Sequence, residues 1–130
     1  MLLDTTFLID LMDRDAGALA RVKSLEREGV GARIPTPAMF ELWRGVHVAA
    51  GISEETERVT KLLAAYPSSP FDATAAARAG QIDAQLIRAG TPIDPEDAMI
   101  AGIALAHGEA VLTRNTRHFS RIAGLRLEKY

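Results

Sequence analysis

The chain has 130 residues, 48% of them hydrophobic and 25% charged, and this ordinary globular balance points to one domain spanning residues 1–130 around one core. It has no cysteine, which excludes disulfides, thiolate zinc sites and a thiol nucleophile. Its formal charge of −2 gives no general attraction to a polyanion, so nucleic acid would have to be held by a local patch or a bound cation.

Leu2-Leu3 begins a short apolar strand that stops at Asp4, and Phe7, Leu8, Ile9, Leu11 and Met12 predict a short helix after it. No basic leader or cleavage site precedes Asp4, so a cytoplasmic location is expected. A second helix is predicted from Ala16 to Glu28, ending before Gly29. Arg33-Ile34-Pro35 reads as a short strand, with a helix opening near Thr36 and Pro37 in its first turn. That helix carries Phe40, Glu41, Leu42, Trp43 and Val46 and is expected to stop at Gly51. Ser53 opens the next, to about Tyr66, and Pro67 to Phe71 is a connector or edge strand. Asp72 caps an alanine-rich helix that ends at Gly90. Asp94-Pro95-Glu96-Asp97 opens the most apolar helix, and its run from Ala98 to Ala106 is far below the roughly 20 residues that cross a bilayer. Ala110 to Thr113 reads as a buried strand and Leu125-Arg126-Leu127 as the last one. Strands alternating with helices imply right-handed parallel crossovers, hence a three-layer α/β/α sandwich with a short, mostly parallel sheet.

In such sheets the site lies beyond the carboxyl ends of the strands. Asp4, Glu41, Asp94 and Asp97 all fall at a strand-to-helix junction or in the first turns of a helix. Clustered carboxylates repel one another unless a cation neutralises them, and Mg²⁺ or Mn²⁺ takes oxygen ligands. Each residue also has a plainer role. Glu41 can form an i,i+3 pair with Arg44, worth only about 0.2–0.5 kcal/mol. Asp94 fits an N-cap before Pro95, and a capping role accounts for it; Asp97 is assigned to metal, because capping needs only one of the two. Asp10 and Asp13 are expected to face solvent, Phe40 and Trp43 to serve the core or a dimer contact, and His118 to be a partly exposed structural histidine. His47, His107 and His118 show no ligand spacing.

Four segments carry a resemblance. Met1-Leu2-Leu3-Asp4-Thr5-Thr6-Phe7-Leu8-Ile9-Asp10, Pro37 to Gly45 around Glu41, Ile93 to Ala101 around Asp97, and Leu112-Thr113-Arg114-Asn115-Thr116-Arg117-His118-Phe119 resemble, in order and spacing, the motif blocks of the PIN-domain family. Nearly the whole chain is similar to the VapC toxins of bacterial and archaeal toxin–antitoxin systems. The resemblance implies a Mg²⁺- or Mn²⁺-dependent endoribonuclease acting on RNA, usually a homodimer, held inactive by a VapB-type antitoxin. It maps the catalytic acids onto Asp4, Glu41 and Asp97 and the fourth position, commonly aspartate, onto Asn115. Thr6 and Thr113 match the small hydroxyl residues beside those acids. An asparagine oxygen ligates a metal or its water without carrying charge, so a second metal position would be weaker, and one or two ions remain open.

Arg114, Arg117, Arg121 and Arg126 occur between Ala110 and Leu127 with no acid among them, a cationic rim suited to a phosphodiester or to a solvated or antitoxin-facing surface. Arg114 and Arg117, with Thr6 and Thr113, are the candidate RNA contacts. Water activated by the metal would attack the phosphodiester, Asp4 and Asp97 holding the ion, Glu41 ligating it or orienting its water, and Asn115 completing the shell. A phosphotransferase with an aspartate nucleophile needs a second acid where Thr6 stands, and a receiver-type signalling module needs a lysine late in the sheet where Thr113-Arg114 stand. A catalytically silent PIN module that acts only by binding is the remaining alternative.

Overall fold

The computed structural model describes residues 1–49 and 53–130. Five two-residue strands form its centre: β1 (Leu2–Leu3), β2 (Ile34–Pro35), β3 (Ser68–Ser69), β4 (Val111–Leu112) and β5 (Leu127–Glu128). β4 lies between β1 and β5, β2 pairs with β3, and a Leu2–Arg33 bridge joins the two groups. The resulting order is β3-β2-β1-β4-β5, and every pairing is parallel. The helices are α1 (Thr5–Met12), α2 (Ala16–Glu28), α3 (Thr36–Val48), α4 (Ser53–Ala65), α5 (Ala73–Arg88), α6 (Pro95–His107) and α7 (Thr116–Phe119). This is the helix-rich α/β/α architecture expected. The Gly51 stop signal lies outside the described residues.

Parallel strands covered on both faces need unbroken apolar sequence. Leu2, Leu3, Val111 and Leu112 are accordingly fully buried, packed with Phe7, Ile34, Ile100, Ile103 and Phe119. Local chemistry sets several helix ends. Asp15 and Asp72 accept hydrogen bonds from the amides of Ala18 and Ala75 at 2.9 Å, capping α2 and α5. Gly29 and Gly108 end α2 and α6 at φ 67° and 65°, a conformation open to glycine without steric cost.

One strand differs from expectation. β5 occupies Leu127–Glu128, because Val111 N donates to Arg126 O and Thr113 N to Glu128 O. The apolar Leu125 packs on the core before the ladder begins, which is why it reads as strand. On the other side of β4, Asp4 N donates to Leu112 O at 3.1 Å. Asp4 and Thr113 therefore leave adjacent strands at the same level.

Candidate metal centre

Asp4 follows β1 directly and is 1% exposed. Its Oδ2 accepts hydrogen bonds from Thr113 Oγ1 at 2.7 Å and Thr6 Oγ1 at 2.9 Å. Its Oδ1 is buried and has no hydrogen-bond partner among the described residues. Leaving a buried carboxylate oxygen unpaired costs on the order of 1–3 kcal/mol or more, and a divalent cation is the ligand that would offset it. The residues present therefore fit the metal that the chemistry of this donor set calls for.

The other acids converge on the same end of the sheet. Glu41, on α3, accepts a hydrogen bond from Thr5 Oγ1 at 2.7 Å. Burial pushes its carboxyl up to about 7; the Thr5 hydrogen bond opposes this, and the charges of Asp97, Asp4 and Glu96 add to it. Asp97, in the first turn of α6, is 6% exposed. Burial pushes it up to about 6, against a hydrogen bond from His118 and with the Asp4 charge adding. The Asp4 charge thus reaches both Glu41 and Asp97. Asn115 lies in the loop between β4 and α7, its Nδ2 3.3 Å from Asp97 Oδ2 and its backbone amide 2.8 Å from Thr113 Oγ1.

Several residues behave differently from their sequence reading. Asp94 occupies the N-cap position of α6, but its side chain makes no capping hydrogen bond. It stands instead with Asp97 and His118, one potential ligand atom from each lying within 4.8 Å of the others. His118 is partly exposed, as expected, and its Nδ1 is 2.7 Å from Asp97 Oδ2, a contact the sequence does not announce. Neither was legible locally: an aspartate before proline is the ordinary N-cap pattern, and a lone histidine has no spacing signal. Asp10 does not face solvent; Tyr130 donates its hydroxyl to it and Arg114 pairs with it at 2.7 Å. Asp13 is exposed, as expected, and pairs with Arg58 at 2.9 Å. Glu41 and Arg44 are 3.9 Å apart, whereas Arg44 reaches Glu96 at 3.1 Å, so the local helix pair does not account for Glu41. Trp43 packs against the core, while Phe40 is 54% exposed beneath the Arg44 guanidinium. Thr5 was missed altogether; only its place in the first turn after Asp4 hinted at a role.

The cationic rim is largely committed within the fold. Arg114 is held by Asp10, Arg121 donates to the carbonyls of Pro92 and Thr91 at 2.9 and 3.4 Å, and Arg126 donates to Gly108 O. Arg117 is exposed, and its side chain makes no hydrogen bond or ion pair among the described residues.

The sequence pattern of the PIN domain matches residues 1–125. The tRNA(fMet)-specific endonuclease VapC of Shigella flexneri is 50% identical over 60 residues, 46% of this chain and 46% of that protein. The chain thus spans about half the length of the curated relatives it matches. The DNA-bound VapBC structure from Salmonella typhimurium superposes with a TM-score of 0.86 at 31% identity, covering 98% of this chain and 96% of that one. The VapBC2 structure from Rickettsia felis, bound to a promoter DNA fragment, superposes at 0.88 over 99% and 97% of the two chains; at 22% identity it speaks for the fold alone. With its motif blocks, its parallel sheet and its acids gathered at one sheet edge, the chain belongs to the PIN-domain family.

Proposed function

We propose that the chain, as one domain spanning residues 1–130, is a Mg²⁺- or Mn²⁺-dependent endoribonuclease and the toxin of a VapBC-type pair. The observation that carries the reading is Asp4: a buried carboxylate with one oxygen fixed by two hydroxyls and the other unpaired, electrostatically coupled to Glu41 and Asp97. Asp4 and Asp97 would hold the ion and Glu41 would ligate it or orient its water, with Asp94 and His118 beside Asp97. A bound divalent ion supplies Lewis acidity and a water of lowered pKa. Thr6 and Thr113 keep Asp4 in one orientation, and Thr5 does the same for Glu41. Without metal, burial pushes the Glu41 carboxyl up to about 7, a penalty on its charge that a bound cation would relieve. Arg117 is free to meet a phosphate oxygen.

VapBC complexes among the similar structures support a VapB-type antitoxin as partner, and we propose a homodimeric, cytoplasmic protein. No helix among the described residues is long and apolar enough to cross a membrane. Purified chain should cleave RNA with Mn²⁺ or Mg²⁺ and lose that activity in EDTA. Full activity of metal-stripped protein in chelator would overturn the mechanism. Asn115 favours one second reading, a silent binding module, because its neutral amide points a donor nitrogen at Asp97 where a carboxylate would add charge. Absence of cleavage at saturating Mn²⁺ would select that reading.

A further inference from the structure

The Arg114 side chain is 59% exposed, yet it is engaged on several sides. Its Nη2 lies 2.7 Å from Asp10 Oδ2 and 3.7 Å from Asp15 Oδ2, and its Cζ stands 5.5 Å over the Tyr130 ring. The Tyr130 hydroxyl donates to the same Asp10 oxygen, and its ring meets the fully buried Phe7 edge-on at 4.8 Å. Arg114, Asp10 and Tyr130 thus tie the loop after β4 to the body of α1 and to the segment beyond β5.

The backbone of the same arginine enters the chain of contacts that fixes Asp4. Arg114 N donates to Thr6 Oγ1 at 3.2 Å, and Thr6 Oγ1 donates to Asp4 Oδ2. The next amide, Asn115 N, donates to Thr113 Oγ1 at 2.8 Å, and Thr113 Oγ1 donates to the same Asp4 oxygen. Two successive amides therefore orient the two hydroxyls that orient Asp4. With two carboxylates around one guanidinium, the Arg114 group presents no surplus positive charge to an approaching phosphate. Arg117, three residues on, has no such partners among the described residues.

We propose that Arg114 is a positioning residue, clamped by Asp10 and Tyr130 so that Thr6 and Thr113 hold Asp4 for the metal, and that Arg117 supplies the cation that meets the RNA phosphate. The second half rests on the nuclease reading above; the first half does not need RNA to be tested. The experiment compares Arg114→Ala, Tyr130→Phe and Arg117→Ala by calorimetric Mn²⁺ titration and by steady-state RNA cleavage across a series of KCl concentrations.

Arg114→Ala should weaken Mn²⁺ binding by about 10–100-fold, the range seen when a ligand's supporting partner is lost, and lower kcat without changing the salt dependence of KM. Tyr130→Phe, which keeps the ring on Phe7 and removes only the hydroxyl, should act in the same direction by a smaller factor. Arg117→Ala should leave Mn²⁺ binding unchanged, raise KM and reduce the salt slope by about one phosphate contact. Wild-type Mn²⁺ affinity and kcat in Arg114→Ala, with raised KM and a flatter salt slope, would overturn the proposal. If Arg114→Ala does not fold, Tyr130→Phe decides, and unchanged Mn²⁺ affinity in it overturns the positioning role. If the wild-type chain cleaves no RNA, the nuclease reading fails and the calorimetric comparison still decides whether the clamp positions Asp4.

Discussion

The two oxygens of Asp4 live in different surroundings, and that asymmetry makes the residue separable from the fold. Asp4→Asn can keep its carbonyl oxygen on the Thr6 and Thr113 hydroxyls and place its amide on the unpaired side, removing one negative charge from among the acids at nearly constant volume. RNA cleavage should fall by more than the roughly 10–100-fold typical of losing a ligand's partner, while the metal-free variant melts at or above the wild-type temperature. Measurable cleavage at the wild-type rate would remove Asp4 from the ligand set. At this scale motif and chemistry single out Asp4, Glu41 and Asp97, and the structure buries Asp4 and Asp97 and holds Glu41 half-buried against Thr5. The sequence was unreadable where a side chain's role depends on a distant partner. Asp10 looks like a solvent-facing helix residue until Tyr130, 120 positions away, comes to rest on it.

At the scale of elements, the aspartates at N-cap positions divide into two kinds. Asp15 and Asp72 cap their helices and serve stability; Asp4 and Asp94 occupy the same kind of position, make no cap, and turn toward the acid cluster. Local pattern cannot tell these apart, since both satisfy the start signal of a helix. Helix boundaries were legible for a related reason: Asp15, Gly29, Asp72 and Gly108 act through contacts within one turn. β5 begins two residues later and ends one residue later than its apolar pattern predicts, because its register is set by β4 and not by its own apolar residues. The placement of α6, and so of Asp97, depends on close approach to α5. A Cβ at Gly102 would stand 2.6 Å from Ala75 O and 2.8 Å from Ala79 Cβ. Gly102→Ala should therefore destabilise the protein by about 1–3 kcal/mol through overpacking, read from urea unfolding. An unchanged midpoint would mean that the two helices separate freely and do not fix Asp97.

Across the whole molecule, the acid cluster links stability to pH and to metal. Glu41 and Asp97 have folded-state pKa values of about 7 and about 6, against ordinary values of 4.5 and 3.8. Because both are raised on folding, the folded state binds protons more tightly than the unfolded chain. Their contribution to stability is complete below the ordinary values and is lost as pH rises through about 6 to 7. In EDTA the melting temperature should fall between pH 5 and pH 8, and saturating Mn²⁺ should restore most of the loss by replacing the protons. A melting temperature that rises over that interval in EDTA would show that these carboxyls are not raised together.

The parallel order of the sheet also fixes when the centre can exist. Asp4 emerges first from synthesis, and its partner Thr113 lies 109 residues later. At the usual 5–20 residues per second, roughly 5–20 s separate the two. β4 in turn needs β5, since Thr113 N is held by Glu128 O. A ribosome-bound chain therefore carries its first acid long before it has the strand that orients it. Whatever chemistry the cluster performs is timed by translation and waits until β5, too, has been made and has paired with β4.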